Sequence, residues 1–246
     1  MSGWCKQWLW GGLLLAGTVT ALAAEPVVVP EGNFEHPVLL DRERRTEWVA
    51  SFRVDARPVS REDYAAFVEA HPHWRRSAVA GLFHDGGYLR GWSSDVSPDG
   101  APEAPVVQVS WYAARAYCEA QGGTLPSLVQ WEYLVDLIRR LNGLSDDDYA
   151  NAVFAWYGEQ RPAAFEDRAL GLSGFIGPVN EWLEDYQLLL ANGDRVDFGG
   201  GSCGDTGRLI LRYDSAHYAT LLRYQMRSNH APETTASNLG FRCVYP

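Results

Sequence analysis

Between Gly199 and Cys243 the chain passes through three consecutive glycines, a serine and a cysteine, then a set of arginines, and closes on Ser237-Asn238-Leu239-Gly240-Phe241-Arg242-Cys243. Glycines in a row suit a backbone that turns sharply and lies close to another surface. The closing residues place a turn signal, an aromatic and a cysteine available for pairing within a few positions. Elsewhere the chain is rich in aromatics, with 10 tryptophans and 12 tyrosines in 246 residues. Such a content fits a loop-rich fold whose aromatics fill space that long helices or strands would otherwise occupy. It fits carbohydrate or peptide binding equally well.

Met1 to Ala24 reads as a secretory signal. Lys6 supplies the positive end, Trp8 to Val19 is largely apolar, and Ala21-Leu22-Ala23 is a small-residue cleavage site. The apolar run is short and interrupted by Gly and Thr, unlike a spanning helix, and no later run is long enough to cross a bilayer. Cys5 precedes the apolar run and is not a lipid-attachment cysteine. The expectation is an exported protein, periplasmic in a diderm bacterium, with a signal over 1–24, an extended segment over 25–44 and one domain over 45–246. Beyond the signal Cys118, Cys203 and Cys243 remain. In an oxidising compartment an odd number leaves one thiol unpaired or paired between chains. The net charge of -10, with no basic cluster, excludes nucleic acid as a partner.

Along the domain, Trp48, Ala50, Phe52 and Val54 alternate with polar residues and predict a half-buried strand within 44–54. Ser60 and Asp63 form a capping box for a helix with Tyr64, Phe67 and Val68 on its apolar face, ended by His71-Pro72. Residues 73–105 read as a long irregular segment. His71, His73 and His84 in or beside it lack the spacing of metal ligands. A short strand follows over 105–109, then a helix from Trp111 to Ala120 behind Ser110, stopped by Gly122-Gly123. Ser127 and Gln130 cap a third helix whose stripe is Trp131, Leu134, Leu137, Ile138 and Leu141, with Gly143 past its end. Asp146-Asp147-Asp148 reads as a solvated acidic turn.

The block from Pro105 through Val109-Ser110-Trp111 and Ala116-Tyr117-Cys118 to Leu125-Pro126 and Trp131-Glu132-Tyr133 resembles the central block of the formylglycine-generating enzyme (sulfatase-modifying factor) family. Tyr149-Ala150-Asn151, Glu181-Trp182, Gly200-Gly201-Ser202 and the closing Asn-Leu-Gly-Phe-Arg-Cys extend the likeness in collinear order over most of 45–246. The resemblance implies an irregular α+β fold, distantly like C-type lectins, with little regular secondary structure. It also implies a Cys118–Cys243 disulfide.

Catalytic members oxidise a substrate cysteine to formylglycine with copper held by two cysteines shortly after the Gly-Gly-Ser. Soft thiolates suit Cu(I), and two are the minimum for a linear site. Counted from the serine, those positions fall near Asp205 and Ile210, and only Cys203 is close by. Copper is therefore not expected. Cys203 reads as a small buried residue beside the glycine turn; the alternatives are a reactive thiol near Arg208 and Arg212, or a metal ligand with His217 or His230. By resemblance Asn151 and Glu181 are calcium-ligand candidates, although Pro178 and Asn180 depart from the family's pattern beside Glu181. Ser202, Cys203, Arg227, Asn229 and Trp182 are candidates for a binding groove, although Trp182 reads first as a core residue. The alternative for the arginines of the last block, Arg242 among them, is pairing with core carboxylates such as Glu132 or Glu181.

Three functions follow as expectations. The first is a non-catalytic family member that binds a periplasmic or envelope protein, as do accessory proteins of this family, one of which acts with a type VI secretion kinase pathway. The second is an enzyme of different chemistry on the same scaffold, using Cys203, Asp205, His217 and His230. The third, from fold analogy alone, is an envelope carbohydrate binder.

Overall fold

Serines decide where the helices begin. A computed structural model describes residues 25–37, 46–158, 170–177, 179–185, 214–228 and 230–246. Helix α1 (Arg61–Ala70) starts at Ser60, whose hydroxyl accepts the Asp63 N–H while the Asp63 carboxylate accepts from the Ser60 N–H. Helix α2 (Trp111–Ala120) starts at Ser110, and α3 (Leu128–Leu141) at Ser127, where Gln130 completes a second reciprocal cap. Each cap satisfies donors that a helix end leaves orphaned and contributes about 1 kcal/mol. Helix α4 (Asp146–Tyr157) begins the same way at Ser145. The acidic run is thus the first turn of a helix, where negative charge suits the helix dipole, and not a solvated turn. Helix α5 (Ser215–Ser228) was not foreseen from the sequence; Asp214 accepts the His217 N–H at its start.

The strands are short and divided among three sheets. β1 (Val27–Val29), β4 (Phe52–Val54) and β7 (Val244–Tyr245) form an antiparallel sheet in the order β1-β4-β7. β2 (Gly32–Glu35) pairs with β3 (Thr46–Val49), and β5 (Asn180–Glu181) lies parallel to β6 (Leu239–Gly240). The single strand expected within 44–54 is two strands in two sheets. The chain changes sheet at Ala50-Ser51, where the Ser51 hydroxyl donates to the Val29 carbonyl. That step shifts the alternation: Val49, Phe52 and Val54 point inward, while Trp48 is 61% exposed. The strand expected over 105–109 is also absent. Val106 N–H reaches the Val59 carbonyl, but Gln108 has a φ of 59° and turns its N–H to Ala236. A left-handed residue cannot continue a ladder.

The closing stretch ties the molecule together. Successive carbonyls of Asn238, Gly240, Phe241 and Cys243 accept from Asn180, Trp182, Val59 and Asp55, and Val244 exchanges bonds with Thr124. Gly240 is required there, since a Cβ would stand 2.7 Å from the Val106 carbonyl oxygen. The disulfide implied by the family resemblance joins Cys118 of α2 to Cys243, with Cα atoms 5.4 Å apart. Two buried clusters flank this stretch. One gathers Tyr64, Phe67, Trp92, Tyr117, Trp182 and Phe241 around the disulfide. The other packs α3, α4 and α5 against the strands through Phe52, Trp131, Leu134, Tyr149 and Val244. Residues 73–105 are irregular as expected, with two short 3-10 turns, Pro72–Trp74 at its edge and Gly81–Phe83 within it. Among the described residues no helix is long and apolar enough to cross a membrane.

Candidate functional site

The polar residues of the last helix face inward. On α5, Arg223 and Arg227 lie one turn apart, and both reach Glu132 of α3, one to each carboxylate oxygen. The Arg227 bond is 2.7 Å long. The Arg223 Nε also donates to the Tyr149 hydroxyl at 2.9 Å, and that hydroxyl lies 3.0 Å from Thr220 Oγ1. Burial works against the charge of Arg223, but the Glu132 carboxylate together with Tyr149, Tyr157 and Tyr224 outweighs it and holds the guanidinium protonated. Beside this trio, Arg242 has no exposed surface. Its Nε and Nη2 donate to the two oxygens of Glu181 at 2.9 Å each, and Nη1 and Nη2 also reach the Asp55 and Ser173 carbonyls. The guanidinium lies over the Phe175 ring at 4.2 Å and the Trp131 ring at 5.3 Å. Burial pushes the Glu181 carboxyl up and Arg242 pulls it back.

These pairs open onto a shallow, partly open crevice lined by Trp131, Trp156, Tyr157, Asn180, Arg223 and Arg227, with a volume of about 20 Å³. Tyr157 donates to Asn180 Oδ1 at 2.6 Å. Burial raises the phenol pKa of Tyr157, so it stays a donor at neutral pH. Neither Tyr157 nor Asn180 figured among the sequence candidates. Asn180 carried a signal, since a polar residue stands there where the resembling family has an aromatic.

The groove candidates separate. Ser202, Cys203, Asp205 and Asn229 lie outside the described residues. Arg227 is buried in the ion-pair cluster. Trp182 is 1% exposed and its indole N–H donates to the Val109 carbonyl, so it belongs to the core. The two histidines are not brought together. His217 Nδ1 sits 2.7 Å from Asp214 at the start of α5, whereas His230 follows the helix end and packs edge-on to Trp182. Roughly 16 Å of helix separates them. Burial lowers the pKa of His230, keeping it neutral, and a backbone hydrogen bond at Met226 opposes this only in part.

The calcium candidates do not fit that ion. Calcium takes six to eight oxygens, yet both Glu181 oxygens are committed to Arg242. Asn151 is on the exposed side of α4. Among the described residues no three His, Cys, Asp or Glu side chains cluster as a metal site would require.

Comparison with known proteins agrees with this scaffold. The sulfatase-modifying factor enzyme 1-like domain matches residues 15–246. A formylglycine-generating enzyme of Streptomyces coelicolor is 28% identical over 207 residues, covering 70% of this chain and 58% of that protein. The inactive C-alpha-formylglycine-generating enzyme 2 of Bos taurus is 30% identical over 164 residues, covering 58% of this chain and 50% of that protein. Among solved structures, CarF aligns with a TM-score of 0.47 at 18% identity, over 90% of this chain and 98% of that one. The chain spans about half the length of the curated relatives it matches. With the domain match running over nearly its whole length, the chain belongs to the sulfatase-modifying factor (formylglycine-generating enzyme) family.

Proposed function

We propose that this chain is an exported, non-catalytic member of the family that binds a protein partner in the periplasm or envelope. The observation that carries the reading is the thiol count. With Cys118 and Cys243 joined, Cys203 is the one cysteine left beyond residue 24. A linear Cu(I) site needs two thiolates. The separation of His217 from His230 supports the same reading, because no acid-base pair forms between them. A relative that carries the word inactive in its name, at 30% identity, is consistent with a scaffold kept after chemistry is lost. In its finer form, the proposal is a regulator of type VI secretion acting through a kinase signalling pathway. The chain's size, export signal and missing thiol pair resemble the accessory protein TagR.

Two measurements test it. The chain from residue 25 onward, incubated with Cu(I), oxygen and a cysteine-containing sulfatase peptide, is expected to retain no stoichiometric copper and to leave the peptide without an aldehyde by mass spectrometry. Aldehyde formation would overturn the non-catalytic reading. Site-specific photocrosslinking in the envelope of the source cell is expected to give a protein adduct of defined mass, and adducts to glycan alone would sink the partner assignment.

A further inference from the structure

One sheet edge is only partly covered. β1 pairs with β4 and β2 with β3 in a common register: Val29 faces Phe52, and three residues further on Gly32 faces Val49. The side of β4 turned away from β1 is therefore continuous with the side of β3 turned away from β2. β7 occupies that side opposite Arg53 and Val54. Next to it, Trp48 to Ser51 have no backbone partner on that side among the described residues. These four residues span roughly 13 Å of strand. None of them is charged or a proline, the residues that commonly keep a bare edge from pairing.

The bare edge borders an open groove of about 430 Å³. Trp48, Val49 and Phe52 line it along the edge, Val244 and Tyr245 line it at β7, and Val129 and residues 122–124 complete it. The Trp48 ring stands exposed beside the buried Val49. None of the lining side chains is charged, in a chain whose net charge is -10. A charged ligand would lose its hydration there and find no counter-charge among those side chains. Only a second stretch of extended backbone repeats N–H and C=O groups at the spacing of the edge. A glycan stacked on Trp48 would leave that row unmatched.

We propose that the partner protein docks in this groove by adding an extended segment to the outer edge of β3. The segment is uncharged and carries apolar residues at alternate positions. This seat rests on the reading that the chain takes a protein partner, and it supplies the surface and the kind of segment. The main chain of the segment pairs with residues 48–51, while its alternate side chains pack on Val49, Val129 and Tyr245 with Trp48 as the anchor.

The test begins with the whole chain beyond the signal and a random library of capped hexapeptides. The best binder is titrated by calorimetry, before and after N-methylation of its backbone. The expected peptide is uncharged and slows hydrogen exchange at the amides of 48–51. N-methylation and Trp48→Ala should each weaken binding roughly tenfold or more. Should the melting temperature of Trp48→Ala fall, Ala50→Arg, which places a charge at the exposed edge, should give the same loss. A library that yields no peptide protecting 48–51, or binding undiminished by N-methylation, overturns the proposal. In the source cell, a photocrosslinking residue is placed at Ala50 and, in a second strain, at the exposed Leu82 of the 81–83 turn. The expected adduct at Ala50 maps to a segment of another protein that, as a synthetic peptide, protects the same amides. Protein adducts at Leu82 and not at Ala50 overturn the groove and leave the partner reading standing, whereas none at either position sinks both. An Ala50 adduct to a second copy of the chain, or to glycan, overturns the docked segment as well.

Discussion

Arg242 shows how much one buried side chain can decide. It holds Glu181 through two bonds and two backbone carbonyls through others, beside the packed rings of Phe175 and Trp131. Replacing it with methionine keeps most of the volume and strands a buried carboxylate, which is expected to cost about 3 to 5 kcal/mol in urea unfolding. Adding Glu181→Gln to that variant should recover part of the loss, because the stranded charge is then removed. A second prediction concerns Asp55, whose carboxyl is pushed up by burial despite hydrogen bonds from Cys243 N–H and the Tyr245 hydroxyl. A raised folded-state pKa means the native form binds more protons than the unfolded chain. The stability this group contributes is therefore fully present below the ordinary carboxylate pKa of about 4 and is lost as pH rises through the folded value. Thermal melts from acid to neutral pH should show that decline in the parent and a flatter profile in Asp55→Asn. At this scale the sequence was half legible. Motif position placed arginines beside Glu132 and Glu181 as one of two readings and Trp182 in the core, but it could not say which way Arg227 pointed.

Helices that bury an apolar stripe behind a serine were readable, and those that bury charge were not. Ser60, Ser110 and Ser127 are followed by Tyr64 and Phe67, by Ala113 and Tyr117, and by Trp131 and Leu134, so cap and stripe agree. In α5 the inward face includes Thr220, Arg223 and Arg227, and a stripe with two arginines in it reads as solvent-facing. In α4 the signal was present: Ser145 precedes Asp148 by three residues, and the Ser145 hydroxyl accepts the Asp148 N–H at 3.1 Å. Strands failed for another reason. A stretch of 10 or so residues fixes alternation only while the chain stays in one sheet, and here it changes sheet at Ala50-Ser51. The caps make a direct prediction: Ser127→Ala and Ser145→Ala should each lower stability by about 1 kcal/mol. Ser127→Asp should lose only a few tenths, as measured by denaturant midpoints at unchanged slope.

For the molecule as a whole, the closing stretch is both its last strand and the common partner of two distant segments, 55–59 and 180–182. Asn180, Trp182, Val59 and Asp55 all donate to carbonyls between Asn238 and Cys243. Contacts so distant in sequence cost loop entropy to form, and a covalent link across 125 residues removes part of that entropy from the unfolded chain. The collinear motifs made the disulfide legible because a pairing depends on two positions and not on the path between them. The same logic fixes the last prediction. Denatured without reductant, the chain from residue 25 onward should titrate one thiol, that of Cys203, and three after reduction. Cys118→Ala with Cys243→Ala should cost about 2 to 5 kcal/mol, and more than either cap variant, because it loosens every segment that the closing stretch holds. A double variant as stable as the parent would mean that hydrogen bonds and the buried Phe241 and Val244 suffice alone. Three thiols before reduction would show instead that the bond does not form, and the fastening of the fold would rest on those contacts entirely.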